Sequence, residues 1–521
     1  MRRLALVAAM LGASFGAACG SGNPITPPPP MGGFSNASLK GSYAFAMIGT
    51  DASANVGAQI ARIGSFNADG SGHITAALED VTDGRSSSPA VQFSGGSYSI
   101  DSSGKGTLSL TSVAGTGLMF SITLTSANSG LMIQSDLNAT SSGTFSLQSQ
   151  SAFTLAGLTN GYVFDVSGVD ANGAPMSIIG NFQANSNGTV SSCVLDENDG
   201  SAAAPSGPLA CNAAGSYALD ATNGNGATFG RGTLSFAGLS FAFYIVNSTQ
   251  VELMEEDGQF ATSGSAEQQS TPPTQVAAAS YAFLIGGASV LGSGGAIARG
   301  GRFSTDATGT SLTSVFLDDN NSGGITSINS NNTISSAKFA IDTNNPGSGR
   351  GTLTFLASGQ ASPFSFVFYL ASATHGFIQD TSNGVIGDGS ILAQNGPFTS
   401  LGGNYAVNWS GQNLALGFEE DFVGQYALSS GNSVSGAIDF VELASPSKRN
   451  PLFSNISLTG MFSPASDTTM RSTYTYTANA APSTTFNFAV YIGGSASAPT
   501  ILLVNTNQNR VDAGTASLQS P

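Results

Sequence analysis

The sequence predicts an all-β protein made of four tandem antiparallel meander modules, and three observations predict it. The tyrosines Tyr43, Tyr162, Tyr281 and Tyr405 recur 119, 119 and 124 residues apart, and each opens the same ordered phrase. Runs such as Gly41 to Ala46, Ser97 to Ile100 and Thr107 to Leu110 alternate apolar with small polar residues, the period of a half-buried strand. The 67 glycines, and the lack of any long 3.6-residue apolar period beyond the first residues, oppose helix.

The phrase holds seven anchors in one order. After the tyrosine comes Gly-x-aromatic: Gly64 and Phe66, Gly180 and Phe182, Gly301 and Phe303, Gly424 and Tyr426. An aspartate follows (Asp80, Asp196, Asp318, Asp439), then a second aromatic (Tyr98, Tyr217, Phe339, Phe462). Next is a cation, between glycines in three copies: Lys105, Arg231 and Arg350, with Arg471 in the fourth. An aromatic-rich strand begins at Phe120, Phe241, Phe366 and Phe488, and a Gly and Ser/Thr stretch closes each copy.

In the first copy eight runs read as strands: 41–48, 60–67, 73–81, 92–100, 106–112, 118–126, 129–135 and 143–149. Turns such as Asp69-Gly70 and Asn187-Gly188 separate the runs, supplying residues that accept positive φ. A meander of this size leaves two open edges unless it closes, and an eight-stranded up-and-down barrel removes both. The expectation is four small barrels in a row; strand count and spacing leave a two-sheet β-sandwich as the alternative. Gly41-Ser42-Tyr43-Ala44-Phe45 resembles the first strand of lipocalin-like barrels over those five residues. The predicted organisation is a signal peptide over 1–18, a Pro-rich tether over 19–35, and modules over 36–149, 150–268, 276–395 and 396–521. A linker with Pro272-Pro273 precedes the third module.

Arg2 and Arg3 before the apolar stretch Leu4 to Phe15 have the pattern of a signal peptide, too short for a permanent span. The start, ending Ala17-Ala18-Cys19, resembles a bacterial lipoprotein signal, with Gly16 where such signals usually carry Leu. That resemblance implies acylation of Cys19, a membrane held through the lipid, and sorting to the outer membrane. Pro24 to Pro30 then read as an extended tether. With Cys19 lipidated, Cys193 and Cys211 remain as an even pair, most simply a disulfide in an exported protein. Its loop would stabilise by roughly 3 kcal/mol on the chain-entropy model.

The net charge of −16 becomes −18 once Arg2 and Arg3 leave with the signal, which opposes binding to nucleic acid. Only 9% of residues are charged, so the surface is largely hydroxyl, amide and glycine. Chemistry finds little support. His73 and His375 occupy different places in different copies, so no repeated Ser/His/Asp or Cys/His group can be assembled. Carboxylates cluster at Asp196 to Asp199, Glu252 to Asp257, Asp318-Asp319 and Glu419 to Asp421. Yet one acid recurring in every module is a scaffold pattern, and no enzyme activity, cofactor or metal site is expected. Asn67 to Gly72 looks like a calcium loop, but its counterparts Asn185 to Gly188 and Asp306 to Gly309 hold too few carboxylates, so a hairpin turn is expected.

The recurrent cations Lys105, Arg231, Arg350 and Arg471 are expected to pair with the recurrent acids Asp80, Asp196, Asp318 and Asp439. The pairings foreseen are Arg231 with Asp196 or Asp257, and Arg350 with Asp318 or Asp380. Two functions follow. One is a non-catalytic, lipid-anchored envelope protein displaying four modules for structural or adhesive contact with an unidentified partner. The other is a binding protein holding small apolar or saccharide ligands inside its barrels, lined by Phe120, Phe243, Phe368, Tyr491 and Trp409. The chain is similar to uncharacterised repeat lipoproteins of environmental bacteria, on its lipoprotein-like start and recurring Gly-x-aromatic phrase. That class implies an envelope location and no assigned activity.

Overall fold

The computed structural model describes residues 33–521 apart from 54–56, 85, 114, 116, 203, 212–213, 259, 271–275, 277–278, 292–293, 329–332, 397, 399–400, 465–470 and 480–482. The signal segment, Cys19 and most of the tether and linker lie outside the described residues. The rest is all-β.

Barrel 1 runs through Lys40–Asp51, Gln59–Asp69, His73–Asp83, Ser86–Ile100, Lys105–Ser112, Gly117–Ser126, Ser129–Gln134 and Ala139–Leu147. It closes by pairing the first strand with the eighth, Phe45 opposite Phe145. Each of the eight runs read from the sequence falls on one of these strands, so the barrel holds and the sandwich does not.

Barrels 2 and 4 close in the same way, between Asn160–Asp170 and Phe260–Gln268, and between Gly403–Asn413 and Arg510–Leu518. Barrel 3 follows the same order from Ser280–Ser289 to Val385–Asn395, which pair with each other. The fourth strand is continuous only in barrel 1. It splits into Ser206–Ala210 and Gly215–Leu219 in barrel 2, Gly324–Ile328 and Ile334–Ile341 in barrel 3, and Lys448–Arg449 and Phe453–Ser463 in barrel 4.

The repeated phrase is the interior of the barrel. The opening tyrosine stands opposite the aromatic of Gly-x-aromatic on the next strand, and the rings stack. Centroids lie 5.4 Å apart for Tyr43 and Phe66, 5.5 Å for Tyr162 and Phe182, 5.6 Å for Tyr281 and Phe303, and 5.5 Å for Tyr405 and Tyr426. Such cross-strand aromatic pairs add roughly 0.5–1.5 kcal/mol each beyond their buried area. In barrels 1 to 3 the tyrosine hydroxyl donates to a carbonyl in the turn between strands six and seven, Ala127, Ser248 and Ala373, each at 2.8 Å. The phenol thereby ties one end of the barrel shut. The glycine is needed because a Cβ on Gly64 would stand 2.6 Å from the Phe45 ring.

One apolar cluster fills each barrel, and four more lie between barrels. Ala44, Ala61, Ile63 and Leu78 of barrel 1 pack on Phe229, Ala242, Tyr244 and Met254 of barrel 2. Val163 and Ile179 of barrel 2 meet Val367, Tyr369 and Phe377 of barrel 3, and Ala282 and Leu284 of barrel 3 meet Tyr491, Leu502 and Val504 of barrel 4. Ala406, Val423 and Val441 of barrel 4 then meet Leu131 and Ile133 of barrel 1. The outer face of strands one to three of each barrel thus meets strands six and seven of the next, and the fourth barrel returns to the first. A head-to-tail contact repeated with a rotation that closes makes a ring. The row of modules is a closed ring of four barrels.

Candidate functional site

The most repeated polar chemistry lies at the four junctions of this ring. The recurrent aspartate sits on the third strand one position out of phase with the inward residues, so it points at the neighbouring barrel. Arg231 of barrel 2 grips Asp80 of barrel 1 through Nε to Oδ2 (2.9 Å) and Nη2 to Oδ1 (2.6 Å). Arg350 of barrel 3 grips Asp196 of barrel 2 with two bonds of 2.7 Å. Arg471 of barrel 4 grips Asp318 of barrel 3 at 2.6 and 2.7 Å. Lys105 of barrel 1 reaches Asp439 of barrel 4 at 2.9 Å and Asn455 Oδ1 at 3.0 Å.

These partners correct the expected ones. Arg231 lies on Asp80, with Asp220 at 2.9 Å and Glu256 at 3.3 Å, rather than on Asp196 or Asp257. Arg350 lies on Asp196, with Asp342 at 3.2 Å, rather than on Asp318 or Asp380. The reason is geometric: both the cation and the aspartate face out of their own barrel, so each finds its partner across a junction.

A tyrosine completes three of the four clasps. Tyr244, Tyr369 and Tyr491 each donate a 2.6 Å hydrogen bond to Asp80, Asp196 and Asp318. Burial, and then the carboxylate beside it, push each phenol far above its ordinary value, so it stays a donor. Tyr491 is therefore misplaced by the sequence reading. It faces the third barrel, while Phe488, Val490 and Ile492 of its strand face the fourth interior. A register error of one residue flips a strand residue to the other face. Thr123 holds this position in barrel 1, opposite Lys105.

A second clasp escaped the sequence reading. Gln148, Gln269, Gln394 and Gln519 stand just after the eighth strand or at its end, 121, 125 and 125 residues apart. Gln148 Nε2 donates to Phe229 O (2.9 Å) and Ile245 O (2.6 Å), and Gln269 donates to Ser348 O and Leu370 O at 2.8 and 2.9 Å. Gln394 reaches Ile492 O at 2.8 Å, and Gln519 reaches Ser103 O and Leu124 O at 3.0 and 2.7 Å. The last glutamine thus ties the end of the chain to barrel 1 with the bonds used where chain continuity links the barrels. The even spacing was the available signal.

Phe120, Phe243, Phe368 and Trp409 point into the barrels and are packed there; Trp409 stacks on Phe422 with centroids 4.8 Å apart. The pocket among Tyr162, Phe182, Tyr217 and Phe243 in barrel 2 amounts to about 20 Å3, less than a small ligand needs. A larger space opens at the other end of barrel 2, about 700 Å3 lined by Leu195, Glu197, Leu209, Phe236, Leu239 and Ser240 among others. It arises where the split fourth strand leaves the wall. Thr189–Asp199 pairs with Gly215–Leu219 only at Thr189 and Val190, then with the short strand Ser206–Ala210. The Cys193–Cys211 disulfide, Cα atoms 5.1 Å apart, staples the split.

Two junctions bury acids. Asp165 of barrel 2 is held well above the usual carboxylate range by burial and by Asp388 of barrel 3, itself raised by burial to about 6. Glu419 of barrel 4, hydrogen-bonded by Thr50 of barrel 1, is raised by burial to about 7. Two carboxyls this close in a dry interface share a proton.

In the loop resembling a calcium site, Asp69 accepts from Ser71 N (2.7 Å), Ser71 Oγ (2.5 Å) and His73 N (3.1 Å), so its oxygens serve the turn. Among the described residues no group of three or more His, Cys, Asp or Glu is placed to hold a metal ion. His73 is exposed beside Asp69, and His375 contacts Glu267 of barrel 2 at 2.7 Å.

No family model matches the sequence, and no curated protein is similar to it. Among solved structures, transferrin binding protein B of Neisseria meningitidis is 10% identical, covering 75% of this chain and 84% of that chain with a TM-score of 0.19. A transferrin binding protein B variant of Haemophilus parasuis is 10% identical (68% and 75% covered, TM-score 0.18), and CghA is 12% identical (68% and 88%, TM-score 0.18). At such scores the chains do not superpose as wholes, and the barrels stand on their own strand pairing.

Proposed function

We propose that the chain is an exported, lipid-anchored envelope protein whose four barrels form one rigid, non-catalytic body for structural or adhesive contact. The observation that carries this reading is where the recurrent polar residues go. The cations, aspartates and glutamines repeated in each copy are engaged in holding barrel to barrel, and the aromatic residues fill the interiors. What recurs in every copy serves the scaffold. The lipoprotein-like start, ending at Cys19, supports attachment to a membrane through acylated cysteine, with the proline-rich tether setting the ring off the surface.

The full chain expressed in a bacterium with two membranes tests this. Wild type is expected to incorporate labelled palmitate and to enter the detergent phase. Cys19→Ser is expected to lose the label and stay in the aqueous phase. Label retained in Cys19→Ser, or an unlabelled wild type, would overturn the anchor. The ligand-holding alternative draws its support from barrel 2, where a space of about 700 Å3 opens.

A further inference from the structure

Barrel 2 differs from barrel 3 in one charge at matching positions. In barrel 3, Arg299 points inward opposite Asp319, donates through Nε to Asp319 Oδ1 at 3.0 Å, and donates through Nη1 to Asp380. All three side chains are less than 10% exposed, and the guanidinium also lies 4.8 Å over the Phe364 ring. Asp380 stands opposite Phe366.

Barrel 2 keeps both acids at the same register. Glu197 stands opposite Ile178, and Glu255 stands opposite Phe241. Cross-strand partners share a face, and Ile178 and Phe241 belong to the interior cluster, so both carboxyls point inward. The arginine, however, is replaced by Ile178. No internal cation can replace it from the same module, because residues 150–279 contain one basic residue, Arg231, against eleven acidic ones. Arg231 is held outside by Asp80.

Barrels 1 and 4 likewise hold an inward arginine against an inward acid, Arg62 on Glu79 at 2.9 Å and Arg510 on Glu420. Barrel 2 alone has its acids without the cation. Glu255 is fully buried beside the Asp257 carboxyl; Thr262 Oγ1 reaches its Oε2 at 3.5 Å, and its Oε1 accepts from no donor. Removing one partner from a buried pair leaves the other group uncompensated in the interior. The same end of barrel 2 carries the lateral opening of about 700 Å3, with Glu197 in its wall beside Leu195, Phe236 and Leu239.

We propose that this end of barrel 2 binds an organic cation, a guanidinium or primary ammonium on a short apolar stem, in the place that Arg299 fills in barrel 3. Glu197 and Glu255 take the charged head, and Leu195, Phe236 and Leu239 take the stem. A planar guanidinium suits the two carboxylates best, since it donates along two edges at once. The site is independent of the membrane anchor, so either can fail alone.

Calorimetric titration of the whole protein at pH 7.5 tests the proposal, with n-butylguanidinium, the tripeptide Gly-Arg-Gly, and the neutral controls n-butanol and Gly-citrulline-Gly. Both cations are expected to bind and both controls to fail. Tighter binding of the tripeptide assigns the natural source to an arginine side chain, and tighter binding of butylguanidinium assigns it to a free small molecule. Burial, then the Asp257 carboxyl and Glu197, raise Glu255 to about 9, so a cation binding against it expels a proton and the heat varies with buffer. Glu255→Gln is expected to weaken binding about tenfold or more. Ile178→Arg is expected to abolish it by supplying the missing group. Cation and control binding alike, or unchanged binding in Glu255→Gln, overturns the proposal; if Ile178→Arg does not fold, Glu255→Gln still decides.

Discussion

Exchanging Arg350 for methionine tests the ring most directly. The guanidinium makes two 2.7 Å bonds to Asp196, and the two side chains are 9% and 5% exposed. Methionine keeps most of the length and removes the charge, leaving Asp196 with Tyr369 as its remaining clasp partner at 2.6 Å. Orphaning one member of such a pair costs about 3–5 kcal/mol. Asp342 also loses its 3.2 Å contact but keeps Asn344 N and Asn345 Nδ2 at 2.8 Å each, so it adds little. Removing both members with Arg350→Met and Asp196→Leu costs far less than the sum, because no charge is left buried. The coupling is then expected to be about 2–3 kcal/mol in urea unfolding followed by circular dichroism. The control cycle pairs Arg350→Met with Asp318→Asn. Asp318 belongs to the next junction, where Arg471 holds it, so those changes should add within about 0.5 kcal/mol. Coupling to Asp318 larger than to Asp196 would refute pairing across junctions.

Gln519→Ala leaves the carbonyls of Ser103 and Leu124 without their side-chain donor and is expected to cost about 1–2 kcal/mol at the closing junction. Amide exchange should then rise at Thr125 to Ser129 and Asn404 to Val407, while Gln269→Ala, across a covalent link, should raise exchange only beside itself; equal spread in both would refute the closing role. Stability is also expected to fall as pH rises. Asp388 and Glu419 are raised to about 6 and about 7, so between about pH 4 and 7 the folded state holds more protons than the unfolded one. That stability is complete below the unfolded carboxyl value and is lost as pH passes through 6 and 7. Desolvation is the largest single influence on Asp170, Asp220 and Asp342 and raises them, but the hydrogen bonds each accepts together outweigh it and lower them, so they contribute in the opposite sense below about pH 4. Thermal unfolding should therefore peak near pH 4–5, and Asp388→Asn should flatten the decline above it; a midpoint rising from pH 5 to 8 would contradict the buried pairs.

The barrel was legible because its determinants are local. Alternation fixes which residues face inward, and the stack of Tyr43 on Phe66 needs only neighbouring strands, so its counterpart recurs in every copy. The junctions were half legible. Spacing gives the place of Arg350 and Asp196 within a barrel and says nothing of which barrel that place faces. Both residues point outward, so the cation can meet the recurrent aspartate of a neighbouring barrel, and only coordinates reveal which neighbour. Tyr491 was lost for a different reason: the fourth copy carries Val490 where Phe243 and Phe368 stand, and the nearest aromatic, one residue further along the strand, is the counterpart of Tyr244 and Tyr369 and lies on the opposite face. Gln148 and its equivalents were overlooked because a single amide at a strand end has no patterning, although its recurrence was visible.

The closing junction differs in chemistry as well as in connectivity. At the three covalent junctions an arginine and a tyrosine hold the aspartate, whereas Lys105 and Thr123 occupy those positions at the fourth. Two residues past the aspartate, Thr82, Asn198 and Asn320 donate to carbonyls of the next barrel, and Val441 cannot. Arg449 supplies that bond from the split fourth strand instead, reaching Gln134 O and Ser135 O at 3.2 Å. Burial lowers this arginine to about 10 against the opposing pull of Asp136 and Asp421, the cost of bringing a cation into a dry interface where its hydrogen bonds go to two carbonyls. A lysine makes a point contact where arginine makes two directed bonds, so it tolerates small rotations of one barrel against the other. Chain continuity keeps the three arginine junctions at high effective concentration, and the lysine junction lacks that advantage. Both differences act in one direction: on heating or in denaturant the ring is expected to open first between barrels 4 and 1, with amide exchange rising there before the other three junctions.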